Sequence, residues 1–186
     1  MKKLILYLLL AILSIRANAQ TSLETAVFGE LNAYRTKNGL CTLNVNKELS
    51  SLAGYHCRYL VTLNEMGQVD SSHDERIDVP NWRELTYDQR EAEFSKSDEN
   101  NHFSGEVQLR SLSFLPGTSE KDIAKNIIQK FHDSPKHREI IRNEYDADYD
   151  LPIVGISVIK NPKQVAGYDV YTVVIDLGMK FNYYQK

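Results

Sequence analysis

The chain has 186 residues, 42% of them hydrophobic and 25% charged, with a formal net charge of −3. This length suits one domain around a single core. The acidic balance, with no basic run, argues against nucleic acid or an anionic membrane as the main partner.

The N-terminus reads as an export signal. Lys2 and Lys3 precede the apolar run Leu4 to Leu13, and Ala17-Asn18-Ala19 offers the small side chains a signal peptidase accepts. A spanning helix needs about 20 apolar residues, and this run is well short. The expected division is a signal peptide over 1–19 and one domain over 20–186, with no transmembrane segment in the mature chain. Cleavage removes Lys2, Lys3 and Arg16, so Lys+Arg falls from 22 to 19 against 25 acids and the net charge moves from −3 to −6. The mature protein is expected outside the cell, in a periplasm or in the cell envelope. There Cys41 and Cys57 are either a disulfide, worth about 3 kcal/mol for so short a loop, or two buried free thiols.

Thr21 and Glu24 have capping-box spacing, and Leu23, Val27, Leu31 and Tyr34 recur at helical intervals. A helix is predicted over about 22–38, stopped by Gly39. Asn46 caps a second, in which Leu49, Leu52, Ala53, His56, Leu60 and Leu63 share a stripe, and Gly67 ends it. From about 68 to 103 the periodicity is poor, and Pro80, Trp82 and the acidic run Glu91–Glu99 read as a long loop region. Ser119 caps a third helix with Ile123, Ile127, Ile128 and Phe131 on one face. Ser134-Pro135 starts a short fourth one. After Asp150 the pattern turns β-branched. Ile153–Ile159 and Tyr168–Leu177 form a predicted hairpin joined through 160–167. Helices first and a hairpin last is an α+β pattern.

No nucleophile elbow, dinucleotide fingerprint, phosphate loop or paired-histidine zinc helix is present. Of the five histidines, His56 lies on an apolar stripe and reads as a core residue, while His102 and His132 read as surface positions. The order of four segments is more specific. These are Leu31-Asn32-Ala33-Tyr34-Arg35; Glu48 to Ala53 leading to His56; Ser72-His73 with Gly105-Glu106 downstream; and Phe131 to Ile141, followed by Val154-Gly155-Ile156 and Asp176-Leu177-Gly178. Together they resemble the CAP superfamily (cysteine-rich secretory, antigen 5 and pathogenesis-related 1 proteins), and most of all its bacterial, SCP-like branch.

The resemblance implies an α-β-α sandwich with a small antiparallel sheet between helical layers and a cleft that can hold a divalent metal, often zinc. His73, Glu106 and His137 match the cleft residues. Ser134 stands where many members carry a second glutamate, with Asp133 as a neighbouring substitute, and Val107 stands where asparagine usually follows the Gly-Glu pair. Two imidazoles and a carboxylate from distant segments are also a reasonable zinc shell on chemical grounds alone. The favoured function is a secreted, non-enzymatic binding module for a small apolar ligand, a glycan or a protein. The alternative is a metal-assisted hydrolase, peptidase-like, with Glu106 as base.

Overall fold

A computed structural model describes residues 20–68, 72–76, 78–79, 85–144 and 150–181. The signal-peptide expectation over 1–19 and Trp82 therefore fall outside the described residues. The elements run α1 (Ser22–Lys37), β1 (Asn44–Val45), α2 (Lys47–Glu65), α3 (Tyr87–Ser97), β2 (Asn101–Phe114), α4 (Glu120–Asp133), α5 (Pro135–Ile141), β3 (Asp150–Lys160) and β4 (Asp169–Phe181). The fold is α+β.

The helix starts follow the local chemistry. Thr21 accepts from the Glu24 amide and Glu24 returns a bond to the Thr21 amide, a complete capping box. Asn46 and Ser119 cap α2 and α4 through the amides of Leu49 and Asp122. Pro135 begins α5, but the Ser134 side chain makes no capping bond.

One element lies inside the expected loop region, and a second begins at its end and fills a stretch with no expected element. Thr86 and Gln89 form a second capping box that starts α3, whose inward side chains are only Arg90 and Phe94. So sparse an apolar stripe leaves little periodicity to read. The other is β2, a fourteen-residue strand whose inward positions include Glu106 and Gln108, which break hydrophobic alternation.

The strands form one sheet in the order β1-β3-β4-β2. Its three long strands are antiparallel, but β1 pairs with β3 in parallel, so the sheet is mixed where an antiparallel one is expected. One face carries Val107, Val154, Ile156, Val158, Val173, Ile175 and Leu177 and packs against α1, α4 and α5. The other carries Ile153, Val174 and Phe103 and packs against α2 and α3. This is an α-β-α sandwich. Full burial of each such Leu, Ile or Phe contributes roughly 1.5–3 kcal/mol.

Two local features set what the α2–α3 face can hold. At Gly155 a Cβ would lie 2.1 Å from the Leu49 carbonyl carbon, so only glycine lets the first turn of α2 sit directly on β3. In β2 the register slips between Phe103 and Gly105. One extra residue there turns Glu106 onto the same face as Phe103, toward α2 and α3.

Cys41 and Cys57 are both free thiols, which corrects the disulfide alternative. They serve different layers of the sandwich: Cys41 packs with the α1–α4 core, Cys57 with the α2 core on the other side of the sheet. Cys57 donates to Thr172 O at 3.3 Å, and burial pushes its thiol up to about 12. Among the described residues no helix is long and apolar enough to cross a membrane.

Candidate functional site

The site grows from two facing carboxylates. Glu106 on β2 and Asp176 on β4 are paired across the ladder, and both are buried (2% and 0% exposed). Such a pair under apolar cover is tolerable only with compensation. Arg90, itself buried, supplies it from α3. Its Nη2 donates to Glu106 Oε1 (3.1 Å), Glu106 Oε2 (3.0 Å) and the His73 carbonyl (2.7 Å), and Nη1 donates to Leu85 O at 3.3 Å. One guanidinium thus neutralises the strand carboxylate and anchors two points, His73 and Leu85, of the segment that leads into α3.

His56 and Glu75 complete the buried layer. Gln108 commits its amide nitrogen to Ser72 O (3.2 Å), so its Oε1 faces His56 and the imidazole Nε2 donates to it at 3.2 Å. The same Nε2 lies 3.6 Å from Glu106 Oε1, and Nδ1 lies 3.6 Å from Glu75 Oε1. His56 is fully buried, as its apolar stripe predicts, but its neighbours are carboxylates.

His73 joins this layer to the surface. Its side chain is 37% exposed, and Nδ1 sits 2.6 Å from Glu106 Oε1. Burial acts to raise the Glu106 pKa, but the His73 hydrogen bond and the charges of His56 and Arg90 outweigh it and hold the carboxyl at about 2. Glu106 is therefore ionised, and His73 Nδ1–H donates to it, leaving Nε2 as the remaining ring nitrogen. Asp176 goes the other way. Burial, then the negative charge of Glu106, pushes it well above the usual carboxylate range, and neither oxygen meets a donor among the described residues. The two members of the pair are thus pushed in opposite directions.

Tyr87, the first residue of α3, sets its ring edge-on to His73 at 6.0 Å, and its hydroxyl is pushed up to about 12 by burial and by Glu106, Glu91 and Asp176. His137 lies at the edge of the cluster on α5. It is half-buried, with its ring edge-on to Phe131 at 5.4 Å. Burial first, then the nearby charge of His73, lowers its pKa, and its Nδ1 is buried without a partner among the described residues. A buried arginine, Arg35, fixes the far end of α5 by donating to Ile141 O at 2.9 Å and Asn143 O at 3.1 Å.

The structure thus brings His73 and Glu106 into direct contact and sets His137 within electrostatic reach of His73. It leaves Asp133 out: that side chain is exposed and accepts from Gln129 at 2.7 Å, one turn back on α4. His132 bonds to the Tyr34 hydroxyl at 2.9 Å, and His102 is exposed against Phe181. Among the described residues no group of three or more His, Cys, Asp or Glu side chains is arranged to hold a metal ion. Glu106 is spent on Arg90 and His73. Sequence reading missed Glu75, Arg90 and Asp176; the Thr86–Gln89 capping box was the available signal for Arg90, since it starts the helix that carries it.

No family model matches the chain, and no curated protein matches it. Among solved structures it is similar to an outer surface protein from Borrelia burgdorferi, at 18% identity over 87% of this chain and 96% of that one, with a TM-score of 0.51. At that identity the likeness establishes a shared α+β fold and leaves the chemistry to this chain's own residues.

Proposed function

We propose that this chain is an exported binding module of the CAP type its sequence resembles, and that the His73–His137 edge of the buried cluster is its ligand-facing surface. One observation carries the reading: Glu106, clamped by Arg90, stands directly behind His73 and holds its Nδ1. A carboxylate behind an imidazole fixes the ring's tautomer and orientation and makes its other nitrogen a better acceptor or ligand. In this reading a divalent ion would be held by His73 Nε2 and a nitrogen of His137, with Glu106 one layer behind. When bound, such an ion would supply a Lewis acid that orients a polar group of the ligand.

The same geometry speaks against hydrolysis with Glu106 as base. Its lone pairs accept from Arg90 and His73, and a carboxyl held at about 2 is a weak proton acceptor at neutral pH. The ligand class stays as the sequence reading has it: a small apolar molecule, a glycan or a protein.

Zinc titration by calorimetry tests the reading. The unmodified protein is expected to bind one ion, with affinity at least tenfold lower in His73→Ala and in His137→Ala, and about 10–100-fold lower in Glu106→Gln. Equal zinc affinity in all four proteins would remove the imidazole edge as a metal site. Chelator-sensitive turnover of peptides or esters would replace binding with hydrolysis.

A further inference from the structure

The opposite edge of the sheet carries an unfilled strand position. β1 pairs with β3 only at Asn44↔Ile153 and Val45↔Val154 before the chain turns into α2. The Asn46 amide donates to Val154 O at 2.9 Å, which fixes the polarity of β3. Val154, Ile156 and Val158 therefore aim their backbone groups away from β4. Past Val154 no strand covers that edge among the described residues. The Val158 amide is taken by Glu24 Oε1 at 3.1 Å. The Ile156 amide and the carbonyls of Ile156 and Val158 meet no backbone partner there.

This edge lines a groove of about 830 Å³, walled by the start of α1 and one side of α2. Lys47 and Arg58 are exposed on the α2 wall and form no ion pair among the described residues. The Arg58 guanidinium lies 4.7 Å over the ring of Tyr55. Glu24, the one carboxylate lining the groove among the described residues, is already spent on the Thr21 amide (2.8 Å) and the Val158 amide. In a chain with more acids than bases, the groove reverses the local charge. Val45 and Tyr55, 47% and 39% exposed, add apolar surface along it.

We propose that this groove binds an extended acidic peptide segment of another protein by adding it as a strand to the open edge of β3. Main-chain bonds to Ile156 and to the Val158 carbonyl supply the register. Lys47 and Arg58 on the α2 wall select acidic side chains, and Val45, paired with Val154, lies on the face that receives the apolar ones alternating with them. A second copy of this chain fits less well, because a two-fold interface through this edge would set Lys47 and Arg58 against their own counterparts. The inference is independent of the His73–His137 edge.

The test titrates the protein with a blocked octapeptide of alternating glutamate and valine, followed by amide NMR shifts and calorimetry. Saturable shifts are expected at Ile156–Ile159 and Tyr55. A lysine–valine peptide, or a glutamate–valine peptide N-methylated at alternate amides, should bind at least tenfold more weakly. The variant Lys47→Glu/Arg58→Glu should lose at least tenfold in affinity for the glutamate–valine peptide while its thermal unfolding is unchanged. The proposal is overturned by no shifts at Ile156–Ile159 at millimolar peptide, or by equal binding of the glutamate and lysine peptides. A concentration-dependent dimer with edge shifts in the absence of peptide also overturns it, assigning the groove to a second copy.

Discussion

Glu106 and Asp176 stand directly opposite each other on adjacent strands, buried, with one carboxyl held at about 2 and the other pushed well above its ordinary range. The two make opposite contributions to stability. Glu106, depressed in the fold, stabilises above its ordinary pKa of 4.5, and that contribution is lost as pH falls through about 2. Asp176, raised in the fold, binds a proton the unfolded chain has released, so its contribution weakens as pH rises from 3.8 toward its folded value. Asp176→Asn removes this second effect. Urea unfolding between pH 4 and pH 8 should show the variant gaining on the unmodified protein by up to about 1.4 kcal/mol per pH unit until Asp176 ionises. A constant difference across that range would sink the assignment.

Arg90 neutralises Glu106 and ties down the segment that leads into α3 at His73 and Leu85. Arg90→Met leaves the buried carboxylate without its arginine partner and held directly only by His73, and is expected to cost about 3 kcal/mol by denaturant unfolding. The double variant Arg90→Met/Glu106→Gln should recover part of that loss, because the stranded charge is gone.

Gly155 marks the closest approach of α2 to the sheet. Gly155→Ala drives a methyl group into the Leu49 backbone and should cost about 3 kcal/mol or more, since backbone cannot give way as a flexible side chain can. Gly29→Ala is the control. Nothing lies within 4 Å of a Cβ there, so stability should be unchanged or slightly raised by helix propensity. Thermal melts of the two variants make the comparison.

The capping box of α3 has a measurable role. Thr86→Ala removes the bond to the Gln89 amide and should cost about 1 kcal/mol. Because α3 presents Arg90 to the cluster, the same change should shift the His73 imidazole resonances in NMR. Thr21→Ala, which starts α1 instead, should lower stability by a similar amount and leave those resonances in place.

The free cysteines predict a distinct chemical behaviour. Intact mass of unreduced protein should correspond to two thiols. Under native conditions an alkylating reagent should label Cys41 and spare Cys57, whose burial holds the thiol at about 12. Labelling of both at equal rates would contradict the burial of Cys57.

The sequence alone placed α1, α2, α4, α5 and the β3–β4 hairpin, because each carries a local signal: the Thr21 box, the Asn46 and Ser119 caps, Pro135, and a β-branched run. It also picked out His73, Glu106 and His137. It could not find α3 or β2, whose inward positions are polar, since periodicity detects burial only where buried residues are apolar. Nor could it separate the disulfide from two thiols; the sheet running between Cys41 and Cys57 did that. The tertiary structure alone decided the roles of the site residues. The bulge at Phe103–Gly105 turned Glu106 inward, β4 set Asp176 against it, and α3 brought Arg90 across the pair. Composition and spacing name residues able to do chemistry. Which carboxylate is ionised, which imidazole nitrogen faces outward and which groups are already spent depend on partners that lie far apart along the chain and meet only when the layers pack.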